Sequence, residues 1–267
     1  TLLVPVFLLT IHISIINFLI LLNVFLAQVA SILFYVLLLF FLIWGVYSQN
    51  ILKKQFIILK KMDNLIIIIF VAYFFISLLP ISDADSLSYH AGYPSLILKY
   101  GNLNFLNHSN LLDYNFLFTG SGEIINFIGL SLGVENFGSL YNFFSLIFLY
   151  LFLNKNFSIK KNLKNLNFIF LCIISCPILL PMISSQKIFL FPSILSSCLL
   201  YFFYKEKKIN KNDLILIITA LFFILASKIS FLFIVSFLFL ILFYVANKNK
   251  ILKISLLQVS IIFLLTY

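Results

Sequence analysis

The residues best suited to chemistry lie together in Ser82-Asp83-Ala84-Asp85-Ser86-Leu87-Ser88-Tyr89-His90. Two carboxylates stand two residues apart, and a tyrosine and a histidine follow within about two helical turns. Beside low-dielectric lipid a carboxylate becomes more basic, which suits it to take a proton from a hydroxyl. The same residues serve equally well as helix caps, and Asp85 before an amphipathic run is a good one. An Asp-x-Asp pair also offers hard oxygens to a divalent cation. Spacing alone leaves base, cap and metal ligand open.

The surrounding chain restricts where such a cluster can sit. Of 267 residues, 63% are hydrophobic and 10% charged, with 34 Phe. A soluble domain is about half apolar and one quarter charged, and a disordered chain is poorer still in apolar residues. The alternating strands of a membrane barrel are absent. We therefore expect an all-α, polytopic transmembrane helical bundle in the lipid bilayer, with about nine spans near 3–26, 28–47, 64–80, 134–153, 166–182, 188–204, 214–227, 229–247 and 254–267. The chain is expected to be a single transmembrane domain over 1–267, a fragment cut at both ends. The three cysteines match no metal or redox spacing and are expected to pack as small apolar residues.

The net charge is +10, and every basic residue is lysine. That bias resembles the codon usage of an AT-rich genome, and the aromatic excess, Trp44 included, suits lipid. No nucleic-acid partner is expected. Fifteen of the 18 lysines fall in four loops, around 53–61, 155–164, 205–211 and 248–253. Short lysine-rich loops lie on the cytoplasmic side, which makes the N-terminus cytoplasmic and the intervening connections external. The alternation closes only if Leu214–Ala246 is two helices with a turn at Ser227–Ser230.

The long external, periplasmic loop, residues 81–133 with Glu135 at its edge, holds five acids against Lys99 alone. Within it, Leu87–Tyr100 and Leu111–Phe118 are amphipathic enough for a membrane surface. Ile124–Leu132 is too short to span and is expected to be re-entrant or interfacial. Glu123 reads as the cap of that run, His108 as a solvated loop residue and His12 as a packed one.

The string Asp83-Ala84-Asp85-Ser86-Leu87-Ser88-Tyr89-His90-Ala91-Gly92-Tyr93-Pro94 resembles the first external loop of the GT-C glycosyltransferases, in particular the protein mannosyltransferase and aminoarabinose transferase group. Asp85 looks like the Asp of that family's Asp-x-x-x-Tyr pattern, and Asp83 like an extra acid of some branches. Two spans more than usual precede the motif, and Asp-x-Asp replaces the common Asp-Glu. The resemblance implies a GT-C-like fold in the bacterial inner membrane and a polyprenyl-phosphate-linked sugar as donor. The acceptor would be a hydroxyl of a glycan, lipid or protein.

In that setting Asp85 is the general base of an inverting transfer, and Asp83 orients the acceptor or shares a proton with Asp85. No cofactor is certain; if a divalent cation is needed, Asp83 and Asp85 would hold it. The phosphate needs a cation, and Lys99, Lys187 and Lys228 are the lysines outside the cytoplasmic clusters. Lys187 beside Gln186, and Lys228, are preferred, with headgroup contact as the plain reading. Tyr89 and His90 would meet sugar or acceptor hydroxyls, or anchor the interface. Two further readings are an O-antigen-type polymerase or ligase, whose loops usually rely on Arg and His, and a transporter or flippase, which tends to show repeated halves.

Overall fold

The computed structural model describes residues 9–11, 13, 15–16, 27–47, 62–100, 121–157, 163–205 and 210–248. All regular structure among them is helical: α1 (Ala27–Tyr47), α2 (Asn64–Ser77), a π-helical turn (Ser86–His90), α3 (Gly92–Tyr100), α4 (Ser121–Ser131), α5 (Phe137–Phe157), α6 (Leu163–Ile174), α7 (Leu179–Ser184), α8 (Leu190–Lys205), α9 (Lys211–Ser227), a 3-10 turn (Ile229–Phe231) and α10 (Leu232–Lys248). The expected span at 254–267, most of 3–26, the segment 111–118, His12 and His108 lie outside the described residues.

Local chemistry sets the helix ends. Asp63 caps α2 by accepting from the Leu65 amide at 3.0 Å, and Asn210 caps α9 by accepting from Asp213 at 2.8 Å. Lys228 is extended (φ −166°, ψ 143°), so Leu214–Ala246 divides into α9 and α10 there, as the lysine pattern requires. The expected span 166–182 does not run through. It breaks between α6 and α7 at Pro177, which lacks an amide hydrogen and disfavours helix in the residue before it. The segment expected to be re-entrant or interfacial is α4, and it lies inside the bundle. Ile124, Ile125, Phe127 and Ile128 are all buried, wedged against α1, α3, α5 and α9.

Helix α8 divides the core. Phe191, Leu195, Leu199 and Phe203, spaced four apart, enter one apolar cluster with α4, α9 and α10. Leu190, Ile194 and Cys198 enter a second with α2, α5, α6 and α7. Cys198 is buried as expected, whereas Cys172 and Cys176 are exposed, because the α6–α7 break turns that edge outward.

Large apolar side chains cover the outside: Ile68 and Phe75 on α2, Phe168 on α6, and Phe233 and Leu240 on α10 are exposed. Asn126, Ser139, Asn142 and Gln186 are buried. Among the described residues one helix, Phe137–Asn156 within α5, is long and apolar enough to cross a membrane; α2, α8, α9 and α10 are shorter. Helices α5, α8 and α10 start at one end of the bundle and run away from it, while α9 returns. Lys205 Nζ lies 3.4 Å from Asn156 Oδ1, joining the far ends of α8 and α5. A helix as long as α5 separates those ends by about 30 Å from its start.

Leu195 is 0% exposed and Phe233 is 86% exposed. Leu195→Ala leaves a cavity between two packed helices and is expected to cost about 2–5 kcal/mol. Thermal unfolding in detergent should show a clear fall in midpoint for Leu195→Ala and almost none for Phe233→Ala; equal shifts would contradict this packing.

Candidate functional site

The site forms at the bundle end where α5, α8 and α10 begin. Its first wall is the segment after α2. The Asp83 carboxylate accepts from the Ser86 amide at 2.9 Å, so Asp83 is the cap that the sequence suggested for Asp85. Asp85 is already helical (φ −66°, ψ −43°) and makes no capping bond. The helix then widens into a π turn closed by the Ala91 amide on the Ser86 carbonyl at 2.7 Å. Such turns recur at functional sites.

Asp85 is thereby left to face Lys187, whose Nζ lies 2.7 Å from Asp85 Oδ2 and 3.6 Å from Asp83 Oδ1. The two acids and the lysine are all partly open to solvent. Partial burial pushes the Asp83 carboxyl up, but hydrogen bonds from the Ser86 hydroxyl and amide, with Lys187, outweigh it. The net effect holds Asp83 below its ordinary value, which corrects the rise expected for an interfacial carboxylate. Among the described residues no group of three or more His, Cys, Asp or Glu stands close enough to hold a metal ion. The Asp-x-Asp pair faces the lysine ammonium.

The second wall is the turn between α7 and α8, and Gln186 anchors it. Its amide donates to Ser86 Oγ at 2.9 Å, and its Nε2 donates to Ser139 Oγ at 3.0 Å. Its Oε1 accepts from the Gly138 amide at 2.9 Å, and its carbonyl accepts from Asn126 Nδ2 at 2.9 Å. Asn126 Nδ2 also donates to the His90 carbonyl, while Asn142 Nδ2 donates to the Lys187 carbonyl at 2.8 Å. Gln186 is buried, so it braces the site from behind where the sequence reading had it binding substrate.

The third wall is the start of α4 against Lys228. His90 Nδ1 lies 2.8 Å from Glu123 Oε1, and both side chains are buried. His90, expected to meet sugar or acceptor hydroxyls, is turned inward by the π turn; Glu123, expected to cap, carries a buried charge site. The pair also reaches Tyr93, whose hydroxyl is pushed up by burial and by Glu123. Lys228 Nζ sits 4.1 Å above the Phe189 ring, and that ring meets His90 edge-on. Burial lowers the Lys228 ammonium; Glu123 and Asp85 oppose this and Lys187 adds to it, with a net lowering.

Asp83, Asp85, Gln186, Lys187, His90 and Lys228 thus converge from three segments. Lys99 does not: it is exposed at the end of α3, 5.4 Å over Tyr100. Tyr89 lies in the π turn, and its side chain falls outside the described residues. Sequence reasoning missed Ser86, Glu123, Asn126, Gly138 and Ser139. A signal existed for two of them: Glu123 and Asn126 are three apart, hence on one face, in an otherwise apolar helix.

These features define a helical-bundle protein with an apolar exterior, a polar site at one end and one helix long enough to cross a membrane. Residues 39–267 match the DUF1420 N-terminal domain, and the chain belongs to that family. No curated protein and no solved structure matches it. The family match does not reach the GT-C glycosyltransferases, so that resemblance rests on residues 83–94.

Two outcomes test this geometry. A Cβ at Gly138 would stand 2.3 Å from Asn126 Oδ1 and 2.5 Å from Gln186 Oε1, so Gly138→Ala must break the Gln186 network. It should lower the thermal midpoint at least as far as a core truncation, and a wild-type melting curve would refute the close approach. Because the folded pKa of Asp83 is depressed, its contribution is complete above the unfolded value and is lost as pH falls below about 4. The thermal midpoint should fall below about pH 4 in wild type, and fall less over the same range in Asp83→Asn.

Proposed function

We propose that the chain is the membrane-embedded part of a glycosyltransferase that moves a sugar from a polyprenyl-phosphate donor to an acceptor hydroxyl. The site end faces the periplasm, and the lysine-rich ends face the cytoplasm, in keeping with the positive-inside rule. The Asp85–Lys187 contact carries this reading. It sets a solvent-accessible carboxylate against an ammonium, with Lys228 close enough to feel both charges. A carboxylate beside a cation that a phosphate can claim is what a displacement at a sugar phosphate needs.

The acceptor hydroxyl gives its proton to Asp85 as its oxygen bonds to the sugar C1. The bond from C1 to the phosphate oxygen breaks, and the phosphate leaves with the electron pair, neutralised by Lys187 and Lys228. Donor phosphate at Lys187 also draws the ammonium from Asp85, which frees that carboxylate to accept the proton. Asp83, already bonded to Ser86, stays in place and orients the acceptor. An apolar groove between α6 and α7, lined by Phe168, Ile169, Ile173 and Leu179, suits the isoprenoid tail. Helix α7 leads from that groove to Lys187.

The bundle is polytopic in this reading, with the shorter helices also crossing. The test is transfer of labelled sugar from a polyprenyl-phosphate donor in membranes. Asp85→Asn should lose about 100-fold or more in kcat, and Lys187→Gln should mainly raise the KM for donor. Undiminished transfer by Asp85→Asn would end the proposal.

A further inference from the structure

The buried acid Glu123 takes no part in the transfer just described, yet it stands behind one of the two cations. Three segments meet at the start of α4. A Cβ at Gly122 would lie 3.3 Å from Ile188 and 4.0 Å from the Ser227 carbonyl, so the first turn of α4 packs directly on the turns bearing Lys187 and Lys228. Glu123 follows Gly122 and is buried, with its Oε1 on His90 Nδ1 at 2.8 Å. Lys228 leans over Phe189, and the Phe189 ring abuts His90. Glu123, His90, Phe189 and Lys228 therefore form one continuous cluster, reached from α4, the π turn, the start of α8 and the α9–α10 turn.

We propose that Glu123 is a positioning residue for Lys228: its carboxylate, held in the interior by His90, keeps the Lys228 ammonium charged and seated on Phe189 beside Lys187. Without such an acid the arrangement works against itself. Lys228 is drawn toward the interior, where an ammonium loses hydration, and it shares the site with the like charge of Lys187. Asp85 opposes that repulsion from the open side but is committed to Lys187 at 2.7 Å. Glu123 is the acid on the buried side. It lies in the first turn of α4, where the helix dipole favours a negative charge. A cation kept charged in this way serves any anionic ligand of the site, so the inference stands whether or not a sugar is transferred.

The experiment reads the charge of Lys228 directly. Full-length protein in detergent micelles is pulse-labelled with acetic anhydride, which acylates only neutral amines, across a pH series, and the Lys228 peptide is quantified by mass spectrometry. Glu123→Gln keeps the size of the side chain and an acceptor for His90 but removes the charge. The midpoint of Lys228 labelling should fall by about one pH unit, while Lys205 at the far end of the bundle stays unchanged and reports an intact fold. Glu123→Asp, which draws the carboxylate back by one methylene, should move the midpoint part of the way in the same direction. If Glu123→Gln loses the Lys205 control, Glu123→Asp decides. An unmoved Lys228 midpoint in the variant that folds overturns the proposal, since a merely structural Glu123 has no reason to shift the titration of a lysine it does not bond.

Discussion

Satisfying one buried amide fixes the site. Gln186 is buried, where each unmet donor or acceptor costs about 1–3 kcal/mol. Its backbone and side chain meet groups from the π turn, α4 and the start of α5, so those three elements and the α7–α8 turn have one compatible arrangement. Lys187 is the next residue and inherits its place from that arrangement, which aims it at Asp85. The bare Cα of Gly138 belongs to the same constraint, because two side-chain oxygens occupy the space any larger residue would fill. The polar network thus precedes the chemistry: the charges stand where they do because an amide behind them has to be bonded.

Two acid–base pairs result, at different depths, and depth separates their uses. The Lys187–Asp85 pair is partly exposed; pairs of that kind contribute little to stability and exchange readily with water or ligand. The His90–Glu123 pair is buried, and separating it would strand a charge away from water. A ligand can therefore compete for the outer pair but not for the inner one. The same reasoning distinguishes the two aspartates. Asp83 is committed to Ser86 through both amide and hydroxyl, whereas Asp85 has Lys187 to lose.

Charged residues were the legible part of the site. In a chain this apolar an ion is costly to place, so Asp83, Asp85, Lys187 and Lys228, which broke the pattern of clustered lysines and apolar runs, marked positions that the fold brings together. The division of Leu214–Ala246 was legible for the same reason, since Lys228 interrupts a continuous apolar stretch. What local pattern could not convey was pairing across distance. His90 and Glu123 are 33 residues apart, and only the packing of α4 under the π turn joins them. The choice of Asp83 over Asp85 as cap depends on where the helix begins, a shift of two residues that composition does not resolve. Gln186 stood beside a lysine in a short turn, which suggested a ligand; its burial follows from Asn126, Ser86 and Ser139 arriving from elsewhere. The break at Pro177 was within reach of sequence reasoning, because proline seldom continues a helix, but the hydropathy of 166–182 hid it.

Helix length connects the apolar exterior to the strength of the site. At 1.5 Å per residue, α2, α8, α9 and α10, at 14 to 17 residues, reach about 21 to 26 Å, short of the roughly 30 Å hydrocarbon core that α5 can match. If the bundle lies in a bilayer, as proposed, short helices anchored at the lysine-rich side stop short of the opposite headgroups. Their connecting turns, 185–189 and 227–228, then sit in a recess open to water on one side and walled by apolar helices on the others. In such a recess the effective dielectric falls between that of water and that of the interior, and a lysine–carboxylate or lysine–phosphate contact gains several-fold over its value in bulk water. The helices α8, α9 and α10 are then short for a physical reason: full-length spans would lift Lys187 and Lys228 to the headgroup layer, where salt and water screen them and lipid phosphates compete for both.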